Sequence, residues 1–157
     1  MYEFRKESTT HSYVCRLSRG GNADDDFAKH IEELRIAVHE AQQQDIRLAS
    51  VVMLPFGHPI PSAKWRAAVS KFMTEEGFDP DMAVITRNPA IRGVLTAISW
   101  TTSSHAVQFK IFPNEEAGLL WLEDHRGQSL PALREIVLEM SQEFEPQGEE
   151  ELKVSTE

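Results

Sequence analysis

The segment Val107 to Leu122, VQFKIFPNEEAGLLWL, changes its hydrophobic period at the centre, from the alternation of a strand to the spacing of a helix. Val107, Phe109 and Ile111 alternate with Gln108 and Lys110, as in a half-buried strand. Asn114, after Pro113, is a favoured helix N-cap, and Glu115 and Glu116 suit the positive end of the helix dipole. A strand passed directly into a capped helix is a unit of an α/β domain, and this pair reads as the closing one. It sets a class of fold and carries no chemistry of its own.

The rest of the chain extends that pattern. Residues 2–7 and 13–18 read as two short strands joined as a hairpin, with Tyr2 and Phe4 on one face and Tyr13, Cys15 and Leu17 on one face of its neighbour. Gly20, Gly21 and Asn22 break the chain before a helix whose Phe27, Ile31, Leu34, Val38 and Ala41 form one apolar stripe, with Asp24 to Asp26 in its first turn. Leu48 to Leu54 is a continuous apolar run, the mark of a central strand buried on both faces. After the loop PFGHPIP, Ser62 caps a helix carrying Trp65, Val69, Phe72 and Met73 on one side and stopped at Gly77. A strand over 82–86 follows. Asn88 and Pro89 then stand at N-cap and N1 of a helix with Ile91, Val94, Leu95 and Ile98 turned inward.

After Asn114, Ala117, Leu120 and Trp121 are expected to face the sheet, and Ser129 to cap a last helix over 129–142 bearing Leu133, Val137 and Met140. Helices between successive strands imply right-handed crossovers. The expected fold is therefore α/β, a mixed, largely parallel sheet of four or five strands with packed helices, an antiparallel strand at one side and an extra helix at the end.

A chain of 157 residues, 41% hydrophobic and 26% charged, suits one domain, placed at 1–142. The net charge of −9 opposes general nucleic-acid binding, which depends on clustered Lys and Arg. Much of that charge is local: over 143–157, six Glu against one Lys leave −5, and too little apolar matter remains to fold, so an acidic disordered tail is expected. Cys15 is the only cysteine, which excludes an intramolecular disulfide. MYEFRKESTT has the makings of no secretory leader, and no run reaches the roughly 18 apolar residues of a membrane helix. The expected location is cytoplasmic.

Three stretches carry a resemblance. VVMLPFGHPIPSAKWRAAV, AVITRNPAIRGVLTAISW and KIFPNEEAGLLWL resemble the STAS-like fold of anti-sigma-factor antagonists, over roughly residues 1–122. The resemblance is closest to a bacterial branch of STAS-like proteins whose domains end in a strand, an acidic-capped helix and a Trp-Leu pair. It implies a mixed sheet of four or five strands, no cofactor, no enzymatic activity, and regulation through a protein partner of kinase-like, anti-sigma-like or other regulatory type. In antagonist members a serine at the start of the helix after the central strand is phosphorylated, and Ser62 matches that position. A phosphate there would add up to about two negative charges at a helix N-terminus. Ser62 follows Pro61 and precedes Ala63, whereas the family's serine follows an Asp and is soon followed by a Gly.

Among individual residues, capping alone accounts for Ser62. His58, in the same loop, reads as a proline-hemmed surface histidine that could meet a partner or pair with Ser62. The histidines His11, His30, His39, His58, His105 and His125 show no His-x-x-x-His spacing, so no metal site is expected. Arg87 and Arg92 flank Asn88 and Pro89 at the carboxyl end of a strand, where open α/β sheets gather anionic ligands, and an anionic or apolar small-molecule site there is the alternative function. Cys15 reads as an inert core residue. Arg66 and Trp100 complete the expected contact residues, Trp100 as a partly exposed aromatic anchor.

Overall fold

The computed structural model describes residues 2–18, 23–60, 62–75, 79–102 and 108–142. The glycine break over 20–22, Pro61, the stop at Gly77, His105, Val107 and the acidic stretch from Glu143 lie outside the described residues.

The elements run β1 (Glu3–Glu7), β2 (Ser12–Arg16), α1 (Ala23–Gln42), β3 (Ala49–Leu54), α2 (Ala63–Met73), β4 (Asp81–Thr86), α3 (Pro89–Thr102), β5 (Gln108–Phe112), α4 (Glu115–Arg126) and α5 (Pro131–Gln142). The five strands lie in one sheet in chain order, β1-β2-β3-β4-β5. Among the described residues only the β1–β2 hairpin is antiparallel. The fold is thus α/β, with a mixed, mostly parallel sheet and an added closing helix, as the residue pattern implies. β3 occupies the centre with all its residues buried, in keeping with its unbroken apolar run.

Three successive right-handed crossovers that all step the same way must leave their helices on the same face. Accordingly α1, α2 and α3 share one core with the sheet residues Tyr13, Cys15, Val52, Leu54, Met82 and Val84. The intervening residues Val14, Val51, Met53, Ala83 and Ile85 face the other way, against Leu119 and Leu122 of α4 and Leu133, Val137 and Met140 of α5. No strand follows β5 among the described residues, and the chain turns at its end and sends α4 and α5 across the second face.

Two expectations at this end are corrected. Leu120 is 54% exposed; Gly118, Leu119 and Leu122 are the buried residues that face the sheet, and Trp121, half-buried, packs against Phe112 of β5 as expected. The cause is the close approach of α4 to β4: a Cβ built on Gly118 would lie 2.5 Å from Ile85 Cδ1 and 3.3 Å from Ala83 Cβ, so the helix settles on its glycine. The last helix begins at Pro131 instead of Ser129. Pro131 takes the first helical position, Leu130 O accepts from Arg134 N at 2.9 Å, and the buried Leu130 anchors the start while its own N–H donates to Glu123 at 3.1 Å. Gly127 ends α4 in the left-handed region, φ 65°, a conformation that L side chains rarely adopt.

Candidate functional site

All parallel strands deliver their carboxyl ends to one edge of the sheet, and four loops meet there. Their backbones are tied to one another by side chains. Asp26 accepts from Ser18 N at 2.8 Å and from Ser18 Oγ, which holds the end of β2 to α1. His58 Nδ1 donates to Ser18 O at 2.7 Å, which joins the β3 loop to the β2 loop. Ser62 N and Oγ donate to the two oxygens of Asp24 at 3.2 and 2.9 Å, which joins α2 to α1. Asn88 Nδ2 donates to Phe56 O at 3.2 Å, and Arg87 Nε donates to Pro113 O at 3.3 Å, which carry the connection through β4 to β5.

His58 is only 2% exposed, contrary to its expected place on the surface. The loop turns sharply, with His58 N donating to Pro55 O at 2.9 Å, and drops the imidazole against the Phe27 ring at 5.6 Å. Its bond to a carbonyl puts the proton on Nδ1, and the buried Nε2 has no partner among the described residues. Burial lowers its pKa, against the opposing pull of the Ser18 carbonyl and of Asp26, whose carboxylate is 3.9 Å away. His58 is therefore a neutral strut between loops, neither an accessible contact nor a base for Ser62.

Ser62 is exposed and is the N-cap of α2, accepting from Trp65 N at 3.4 Å while it donates to Asp24. The acidic run Asp24–Asp26 thus does more than complement a dipole. Arg87 and Arg92 are both exposed, on either side of the Asn88 cap, whose Oδ1 accepts from Ala90 N at 3.0 Å. Arg66 lies one turn into α2 and half-buried. Trp100 is 76% exposed but sits near the far end of α3, some 18 Å of helix beyond the cap, away from the loops. What sequence reasoning missed is the apolar centre of the edge: Phe56 is 71% exposed and Ile60 47%. The signal was present in PFGHPIP, where turn residues hold the two hydrophobic side chains clear of the core.

Two other polar groupings lie away from this edge. Cys15 Sγ is 3.2 Å from His30 Nδ1 beneath α1, both buried. Burial pushes the thiol up and brings the imidazole down to about 4, so both are neutral, the opposite of an activated thiolate pair. At the amino end of the strands, buried Asp81 meets Arg47 Nε at 3.1 Å, His125 Nε2 at 3.3 Å and Arg126 Nη1 at 3.4 Å. No group of three or more metal-ligating side chains, and no helix long and apolar enough to cross a membrane, occurs among the described residues. No protein-family model matches the chain, and neither curated proteins nor solved structures show a significant similarity to it.

Proposed function

We propose that this chain is a non-enzymatic, STAS-like regulatory domain of bacterial type that works in the cytoplasm by docking a protein partner on the carboxyl edge of its sheet. The carrying observation is the exposed Phe56, whose carbonyl is held by Asn88 next to Arg87, with the exposed Ile60 on the same loop, the loops being fixed to one another by the Asp24–Ser62, His58–Ser18 and Asn88–Phe56 bonds. An exposed apolar centre with a charged rim, held rigid, is what a protein contact uses. The five-stranded mixed sheet supports the STAS resemblance, as does Ser62 at the start of the helix after the central strand.

A phosphate on Ser62 would stand against the Asp24 carboxylate, which now accepts the hydroxyl proton. Like-charge repulsion would break the α1–α2 tie and reshape the edge, which makes phosphorylation a workable switch. Affinity capture with the intact chain and with Phe56→Asp, read by mass spectrometry that resolves phosphate, tests both parts. A partner retained by the wild type and lost by the variant, at unchanged melting temperature, is expected. Identical retention by the two proteins rejects the edge as the contact face, and a Ser62 that stays unmodified rejects the switch.

A second reading, a small-molecule sensor, is favoured by a different place from the Arg87–Arg92 turn. An apolar cavity of about 40 Å³ lies between the sheet and α2, lined by Phe27, Val69, Phe72, Leu95 and Phe109 with His30 as its polar member. A cavity of this size holds only a group of a few atoms, so a neutral apolar ligand as large as phenol enters with α2 moving outward. Phenol at ten times its Kd would stabilise the fold by about 1.4 kcal/mol, and Val69→Trp should abolish the shift. A flat melting curve across the titration rejects this reading.

A further inference from the structure

α2 is held unevenly along its length. Its last turn is anchored in the core, where Phe72 and Met73 are buried and the guanidinium of Arg35 in α1 lies 4.8 Å above the Phe72 ring while pairing with Glu75, just past the helix. At the other end Ala63 and Lys64 are exposed and Trp65 is half-buried. That end is tied to α1 by Ser62, whose N and Oγ donate to Asp24 at 3.2 and 2.9 Å. The apolar cavity lies beneath this helix, with Val69 and Phe72 in its outer wall and Val52, Met82 and Phe109 of the sheet in its floor. A molecule too large for the cavity meets least resistance at the Ser62 end, because lifting the other end would expose Phe72 and Met73.

His30 supplies the polar part of the cavity wall. Among the described residues the imidazole has one hydrogen bond, between Nδ1 and Cys15 Sγ at 3.2 Å. Cys15 belongs to β2, on one side of His30, whereas the cavity floor is built from β3, β4 and β5 on the other. Nδ1 is thus engaged by β2, and Nε2, across the ring, is left towards the cavity. A neutral imidazole donates or accepts at that atom according to its tautomer, and a hydroxyl group can answer either way.

We propose that the space beneath α2 is a site for a small aromatic molecule with a single hydroxyl group, which hydrogen-bonds to His30 Nε2, and that its entry lifts the amino end of α2 and breaks the Ser62–Asp24 bonds. This rests on the reading of the cavity as a ligand site and adds to it a specificity residue and a structural consequence. The Phe56–Ile60 loop leads into the same end of α2, so an occupied cavity alters the carboxyl edge. By linkage the ligand and the Asp24 bonds oppose one another: removing the bonds tightens the ligand, and binding the ligand loosens the bonds.

Phenol and toluene, titrated into the intact ¹⁵N-labelled chain, test the proposal. Phenol should bind about five-fold more tightly to wild type than to His30→Leu, while toluene, which has no hydroxyl, should bind the two alike. As phenol saturates, the Ser62 amide signal should move to the position it occupies in ligand-free Asp24→Ala, and that variant should bind phenol about five-fold more tightly than wild type. Equal losses of phenol and toluene in His30→Leu overturn the imidazole as anchor. A stationary Ser62 signal with an unchanged Kd in Asp24→Ala, at a phenol concentration that does raise the melting temperature, overturns the coupling and leaves the cavity reading standing. No melting shift with phenol rejects the cavity reading itself, and this proposal with it. The Ser62 signal and Asp24→Ala decide the coupling even where His30→Leu fails to fold.

Discussion

Cys15 Sγ and His30 Nδ1 share a hydrogen bond of 3.2 Å inside the core formed by β2 and α1. Tyr13 lies tilted against the same imidazole at 6.0 Å and meets Tyr2 through a hydroxyl pair at 2.6 Å, so these buried polar groups are paired with one another. Burial raises both phenols and the thiol and lowers the imidazole to about 4.

A titrating His30 must therefore make the fold sensitive to acid. Its folded pKa, about 4, lies below the unfolded value of 6.5, so the unfolded chain binds more protons between these values. Its contribution is complete above pH 6.5 and is lost progressively as pH falls towards 4, by roughly 3 kcal/mol at the lower limit. Denaturation followed from pH 7.5 to 4 should show this slope, and His30→Leu should flatten it. His58, also lowered by burial, leaves a residual slope in the same direction. An unchanged pH profile in His30→Leu would show that another group governs acid stability.

Gly118 sets how closely α4 rests on β4. Gly118→Val should destabilise by about 3 kcal/mol in urea unfolding, because the new side chain meets Ile85, Ala83 and Phe112. Gly118→Ala is the finer measurement. Its helix-propensity gain of about 1 kcal/mol opposes the clash with Ile85 Cδ1, an atom that Ile85→Val removes. A double-mutant cycle should give a coupling of about 1 kcal/mol or more between the two positions.

Ser62→Ala removes the cap of α2 and the hydroxyl bond to Asp24, leaving the bond from Ser62 N, and should cost about 1 kcal/mol. Asp24→Asn, which keeps an acceptor for the hydroxyl, should cost less. Hydrogen exchange at the first turn of α2 is the direct check: protection at Trp65 N should fall in Ser62→Ala and persist in Asp24→Asn.

Asp81 is buried among Arg47, His125 and Arg126 and pins the start of β4 to the last turn of α4. Asp81→Asn should destabilise by about 3 kcal/mol, since it leaves two guanidinium groups in a half-buried site without their counter-charge. Comparison with Arg47→Met and with the double variant would divide the cost. A double variant as stable as wild type means that the cluster serves arrangement more than stability.

Residue pattern alone determined the order of the elements, the central place of β3 and the inward stripes of α1, α2 and α3, because alternation and helical spacing are local statements about which face meets water. It also located Ser62, Asn88 and Asn114 at helix starts, since a cap satisfies backbone donors only a few residues away. Tertiary structure decided the rest. Whether α4 turns Leu120 or Leu119 to the sheet depended on how near a glycine lets two backbones come, and the start of α5 depended on Leu130 finding a buried site beside Glu123. His58 is a buried strut because Ser18, forty positions away, presents a carbonyl to it, and Phe56 is exposed because the same turn faces outward. These are long-range pairings: the strands' carboxyl ends come together only through the crossovers, and no short window of sequence contains both partners.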